Sequence, residues 1–176
     1  GLQASTKKRD YSAFICGGDA IVVNVTSDEE NDPDSLSQDK CDVFTDADHP
    51  GPQCTLRAAI QVAEHHTGID RIQFAIPGTG VKVISPLTNL PPLTQPVTID
   101  GESQERSAGG GNVELRGNNF ANQSQAFGLR LMAGSNGSVI HKLVFNDWGE
   151  AIRIEHSDTS TVTGCMIGTT ADGMSP

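Results

Sequence analysis

The sequence predicts an all-β fold, a right-handed parallel β-helix closed at its start by one α-helix, and three observations carry that prediction. The first is an internal repeat. Gly128-Leu129-Arg130-Leu131 aligns with Ala151-Ile152-Arg153-Ile154 at a spacing of 23 residues, and Ile140, Leu143 and Phe145 align with Val162, Cys165 and Ile167 at 22. Two strands and their turns in that length, with no helix between them, match one coil of a solenoid whose units bury their apolar faces only against their neighbours. The second is a composition of 19 Gly and 9 Pro with many Asn, Ser and Thr, which favours short strands joined by turns. The third is that a single stretch, Cys54 to Ala63, reads as a convincing helix.

Taken in order, residues 1–19 form a polar tail and residues 20–70 a cap of strand, acidic loop and helix. Residues 71–176 form coils that are expected to continue beyond the given chain. Ile21, Val23 and Val25 alternate with Val22, Asn24 and Thr26, the pattern of a half-buried strand. A long acidic loop follows from Ser27 to Gln53. In the helix, Leu56, Ala59, Ile60 and Ala63 fall at i, i+3, i+4 and i+7, one apolar stripe. Thr55 is its N-cap, because its hydroxyl can accept from a first-turn amide, and Gly68 stops the chain beyond it. The helix is expected to lie as a lid over the open end of the first coil. Strands are then read at 71–76, 81–85, 97–100, 113–116, 127–132, 139–145, 151–155 and 161–167, with a polar excursion at 102–111. Within the repeat, Leu129 should stack on Ile152, Leu131 on Ile154, Ile140 on Val162 and Phe145 on Ile167.

Charge and hydropathy exclude some functions. Twelve Lys and Arg stand against 22 Asp and Glu, a net charge of -10, which disfavours nucleic acid as a partner. No apolar run approaches the roughly 20 residues of a membrane span. Four cysteines can pair in three ways. Cys41 and Cys54 bracket a 12-residue loop with little apolar material to hold it, so a disulfide between them is expected. The pairing of Cys16 and Cys165 stays open, with Cys165 read as a buried small apolar group. Three sequons, at Asn24, Asn122 and Asn136, fit a secreted or cell-surface protein.

The strand and acidic loop followed by Cys54-Thr55-Leu56-Arg57-Ala58-Ala59-Ile60-Gln61, then 68–74 and Val97-Thr98-Ile99-Asp100-Gly101, resemble the CSLREA domain at the start of secreted bacterial right-handed parallel β-helix proteins. The similarity covers residues 20–101. It departs from the family's name motif at Thr55 and Ala58; the second departure removes the acidic partner of a capping box and leaves the helix start to Thr55. The family implies no catalytic residues.

The candidate sites are therefore read from residue types. Asp42, Asp46 and Asp48 in the acidic loop offer oxygen ligands for a Ca²⁺, with a solvated loop as the alternative. No cofactor is required. Arg130 and Arg153 point outward and, with Arg116 one strand earlier, could form a basic column for carboxylated or sulfated sugars, against an exposed ladder paired with Glu114, Glu155 or Asp158. Trp148 is read as a local cover rather than a sugar platform.

The functional expectation is a structural or adhesive surface module that binds polysaccharide or a host surface and self-associates through an uncapped last coil. The alternative is the front of a polysaccharide lyase, for which His141, Lys142, Arg153, Glu155 and His156 supply residue types but no motif. No Ser/His/Asp triad signature, Gly-rich phosphate loop or zinc pattern is present.

Overall fold

The computed structural model describes residues 20–46, 48–106, 112–118 and 120–173. The expected tail and Cys16 lie outside these residues. The elements are β1 (Ile21–Val23), α1 (Pro33–Leu36), α2 (Leu56–His65), β2 (Asp70–Phe74), β3 (Lys82–Ile84), β4 (Val97–Asp100) and α3 (Glu102–Arg106). They continue with β5 (Val113–Arg116), a 3-10 turn at Gln123–Gln125, β6 (Phe127–Leu131), β7 (Val139–His141), β8 (Leu143–Asn146), β9 (Glu150–Ile154), β10 (Thr161–Thr163) and β11 (Met166–Ile167).

Every strand pair is parallel, and the strands gather into three sheets, ordered β1-β2-β4-β7-β10, β11-β8-β5-β3 and β6-β9. This corrects the predicted class. The strands form three separate sheets with helices among them, 13% helix to 29% strand among the described residues, a mixed α/β arrangement rather than an all-β right-handed parallel β-helix. The physical reason lies in short polar segments that carry no apolar period. The Asp32 carboxylate accepts from the Asp34 and Ser35 amides and Pro33 presets the first turn, so α1 forms inside the acidic loop. The chain beyond Gly101 likewise winds into α3, where Gln104 exchanges hydrogen bonds with the backbone of Ile76 at 2.8 and 3.0 Å.

Register organises the interior. Ile21, Ile72, Ile99, Ile140 and Val162 are successive partners across the five-stranded sheet, so one face of each strand feeds one apolar row. Ile84, Leu115, Phe145 and Ile167 do the same in the four-stranded sheet. Leu129 pairs with Ile152 and Leu131 with Ile154, and Leu93 bridges to Leu131. The core they share is continuous with Leu56, Ala59, Ile60 and Ala63 of α2. That helix packs against β1 and β2, and Thr55 caps it by accepting from the Ala58 amide at 3.0 Å.

The polar side of α2 ties the helix to its neighbours. Arg57 is buried, forms a two-pronged contact with Asp28 (3.0 and 2.9 Å), and donates to the carbonyls of Thr88 and Asn89. Gln61 accepts from the Asn31 amide, and the Glu64 carboxylate receives the amides of Thr94 and Gln95. Helical period alone places Arg57, Gln61 and Glu64 off the apolar stripe and says nothing of their partners. Their partners sit about 30 positions away and are brought in by the acidic loop and the 88–95 crossing.

Candidate functional site

A second row runs beside the apolar one on the five-stranded sheet. Gln73 pairs with Asp100, Asp100 with His141, and His141 with Thr163, so four polar side chains follow one another across β2, β4, β7 and β10. Each directly follows a residue of the inward row. Because alternate side chains of a strand leave opposite faces, the polar row lies on the outer face. Arg71, two residues before Gln73, reaches Asp100 Oδ2 at 3.5 Å.

At the centre of this row Asp100, Glu102 and His141 converge, with one ligand atom from each lying within 4.8 Å of the others. Asp100 is buried at 4% exposure, while Glu102 and His141 are partly exposed. His141 Nε2 stands 3.8 Å from Glu102 Oε2. Three backbone features build the cluster. Parallel register stacks Asp100 on His141. The Gly101 amide donates to the His141 carbonyl at 2.8 Å, which folds the turn after β4 against β7. A Cβ at position 101 would stand 2.1 Å from the Lys142 carbonyl oxygen, so only glycine permits that approach. The Ser103 hydroxyl then donates to the Asp100 carbonyl and receives the Phe74 amide, fixing the first turn of α3, which carries Glu102.

The residues singled out in the sequence occupy other places. Arg130 and Arg153 are register partners in β6 and β9, and both guanidinium groups lie over the Phe127 ring, at 5.9 and 5.0 Å from its centroid. Both bind Glu155, each at 2.9 Å, and Arg153 also approaches Glu150 at 3.7 Å. The Arg130 hydrogen bond, reinforced by the charge of Arg153, holds the Glu155 carboxyl below its ordinary value. Arg116 stands in the four-stranded sheet, bound to the buried Glu114 at 2.6 Å. The structure thus brings two of the three arginines together, engages all three with carboxylates, and places Arg116 on another sheet.

In the acidic loop, Asp42 accepts from the Gln53 amide at 3.0 Å and Asp46 accepts from the amides of Asp48 and His49 and meets the His49 ring at 2.8 Å. These carboxylates shape their own loop. The His49 hydrogen bond holds Asp46 below its ordinary pKa. Among the described residues, the group of metal-ligating types that converges is Asp100, Glu102 and His141, not Asp42, Asp46 and Asp48. Cys41 and Cys54 are joined by a disulfide, with Cα atoms 5.1 Å apart. Cys165 is a free, half-buried thiol, and burial pushes its pKa up. Trp148 donates from its indole nitrogen to the Leu115 carbonyl at 2.8 Å and tilts against Phe120.

Sequence reasoning passed over Asp100 and Glu102 and noted His141 only as a residue type. The signal that would have found them is the strand register. Asp100 and His141 are 41 positions apart, a spacing that no repeat of 22 or 23 announces, because the 102–111 excursion is inserted between their strands.

Fold and site together define a parallel-strand α/β protein with an outward polar row and a mixed carboxylate-imidazole cluster at its centre. No protein-family model, no curated protein and no solved structure matches the chain. No helix among the described residues is long and apolar enough to cross a membrane.

Proposed function

We propose that the protein is a secreted or cell-surface module, structural or adhesive, that binds polysaccharide along the outward face of its five-stranded sheet. The observation that carries this reading is the row Gln73, Asp100, His141 and Thr163 in unbroken register. Strands in a sheet are spaced about 4.8 Å apart, close to the length of one sugar unit, so a chain laid across the strands would meet Gln73, His141 and Thr163 in turn, with Asp100 buried between the first two. Amide, carboxylate, imidazole and hydroxyl groups supply both donors and acceptors for sugar hydroxyls.

Two further features support the placement. The Cys41–Cys54 disulfide is at home in an oxidising, extracellular setting. The resemblance of residues 20–101 to the CSLREA domain of secreted bacterial proteins points the same way.

A glycan array probed with the full chain, with and without calcium, tests the reading. Binding to at least one polysaccharide class is expected, and it should weaken by about tenfold in an Arg71→Ala, Gln73→Ala double variant, the loss of about 1.4 kcal/mol that one or two hydrogen bonds supply. A blank array, or binding indifferent to the double variant, overturns it. Unsaturated sugar ends, seen by ultraviolet absorbance after incubation with uronate polymers, would replace it with the lyase reading.

A further inference from the structure

We propose that Asp100, Glu102 and His141 form a binding site for a divalent transition-metal ion, with Zn²⁺ preferred to Ca²⁺. This proposal stands apart from the carbohydrate reading, since its test contains no sugar. The argument begins with donor chemistry. Two carboxylate oxygens and an imidazole nitrogen make a mixed set; hard Ca²⁺ takes six to eight oxygen ligands, whereas Zn²⁺ is well served by nitrogen and carboxylate oxygen at low coordination number. The cluster offers three side chains, the number a zinc site with an open position uses.

Geometry agrees. Zinc bonds of about 2.0–2.2 Å place tetrahedral ligand atoms roughly 3.3–3.6 Å apart. His141 Nε2 and Glu102 Oε2 already stand at 3.8 Å, and all three donor atoms fall within 4.8 Å, so closure onto an ion needs only side-chain adjustment. The ligands come from three differently constrained elements. Asp100 ends β4, His141 ends β7, and Glu102 opens α3, with the Gly101–His141 hydrogen bond pinning the turn that joins the first to the third.

Charge agrees as well. The two carboxylates bring negative charge to the cluster, and one of them, Asp100, is 4% exposed. Arg71, at 3.5 Å from Asp100 Oδ2, acts as a positioning residue for that carboxylate. Glu102 and His141 are partly exposed, at 40% and 29% of their side chains, which provides the entry path and leaves further coordination positions to water.

The experiment is isothermal titration of the metal-free full chain with ZnCl₂ and, separately, CaCl₂. One equivalent of Zn²⁺ is expected to bind at least about tenfold more tightly than Ca²⁺, and His141→Asn and Glu102→Gln should each weaken Zn²⁺ by about tenfold or more. Both variants alter partly exposed side chains, so either decides the matter if the other fails to fold. A His65→Ala, His66→Ala variant removes the other pair of imidazoles close to carboxylates and should leave the affinity unchanged. No uptake of Zn²⁺ by the full chain, a Ca²⁺ affinity equal to that of Zn²⁺, unchanged affinity in the two site variants, or a loss that follows His65 and His66 instead would each overturn the proposal.

Discussion

The β1 end of the strand stack and the β10 end are built from the same kind of residue and meet different surroundings. At the β1 end, Ile21 and Ile72 lie under α2 and are almost wholly buried, and the Arg57–Asp28 ion pair beside α2 is largely buried too. At the other end Val162, the last member of the same row, is 38% exposed, with Ile154 at 48% and Ile167 at 55%. The arginines there pair with Glu150 and Glu155 at the surface. An apolar side chain on an edge strand of a parallel sheet becomes core only where another element covers it, as α2 covers Ile21.

The comparison can be broken most directly at its charges. Arg57→Met leaves the Asp28 carboxylate buried without its guanidinium and should cost about 3–5 kcal/mol in urea unfolding, whereas Arg153→Met, at a half-exposed pair, should cost less than about 1 kcal/mol. Equal losses at the two sites would show that the ends do not differ as described. Within the apolar row, Ile99→Ala should cost about 2–5 kcal/mol and Val162→Ala about 1 kcal/mol or less, measured by the same unfolding curves.

Opening the Cys41–Cys54 bridge, by Cys54→Ser or by reduction, should lower stability by about 3 kcal/mol, because the acidic loop regains its freedom in the unfolded chain. The reduced wild type and the serine variant should melt together; separate melting would show that the serine hydroxyl, buried beside α2, adds its own cost.

The smallest effect concerns the C-terminal turn of α2. Asp39 bonds His65 at 2.9 Å and meets His66 at 3.1 Å, and the His65 hydrogen bond, helped by the His66 charge, lowers the Asp39 pKa from its ordinary 3.8. A lowered folded-state pKa means a contribution that is present above 3.8 and is lost as the pH falls through the lowered value. Asp39→Asn should therefore melt slightly below the wild type at pH 7, and the two curves should converge below pH 3.8 and merge once the pH has fallen through the lowered value.

Much of the interior was legible in the sequence. The 23-residue alignment of Leu129 with Ile152 and the 22-residue alignment of Ile140 with Val162 are the register the strands adopt, because residues stacked in successive units face the same packing demand. The stripe of α2 and its Thr55 cap are local properties of a helix and needed no tertiary information. The outward row was not legible. Solvent-facing positions accept many residue types, so Gln73, Asp100, His141 and Thr163 share no chemical signature by which to be aligned. The buried role of Arg57 was hidden for a related reason: a long cationic side chain on a helix reads as solvent-facing until its partners are known.

The sequence by itself determined the stacked pairs of the 22- and 23-residue repeat, the helix, its cap and the cysteine pair, since each follows from period, local hydrogen bonding or loop length. Tertiary structure decided that the strands part into three sheets with two further short helices among them. It also decided which charged residues are buried, and that Asp100, Glu102 and His141 meet. Those outcomes depend on parallel register between strands separated by excursions of unequal length. Backbone hydrogen bonding across the sheet sets that register, and the composition of the excursions does not record it.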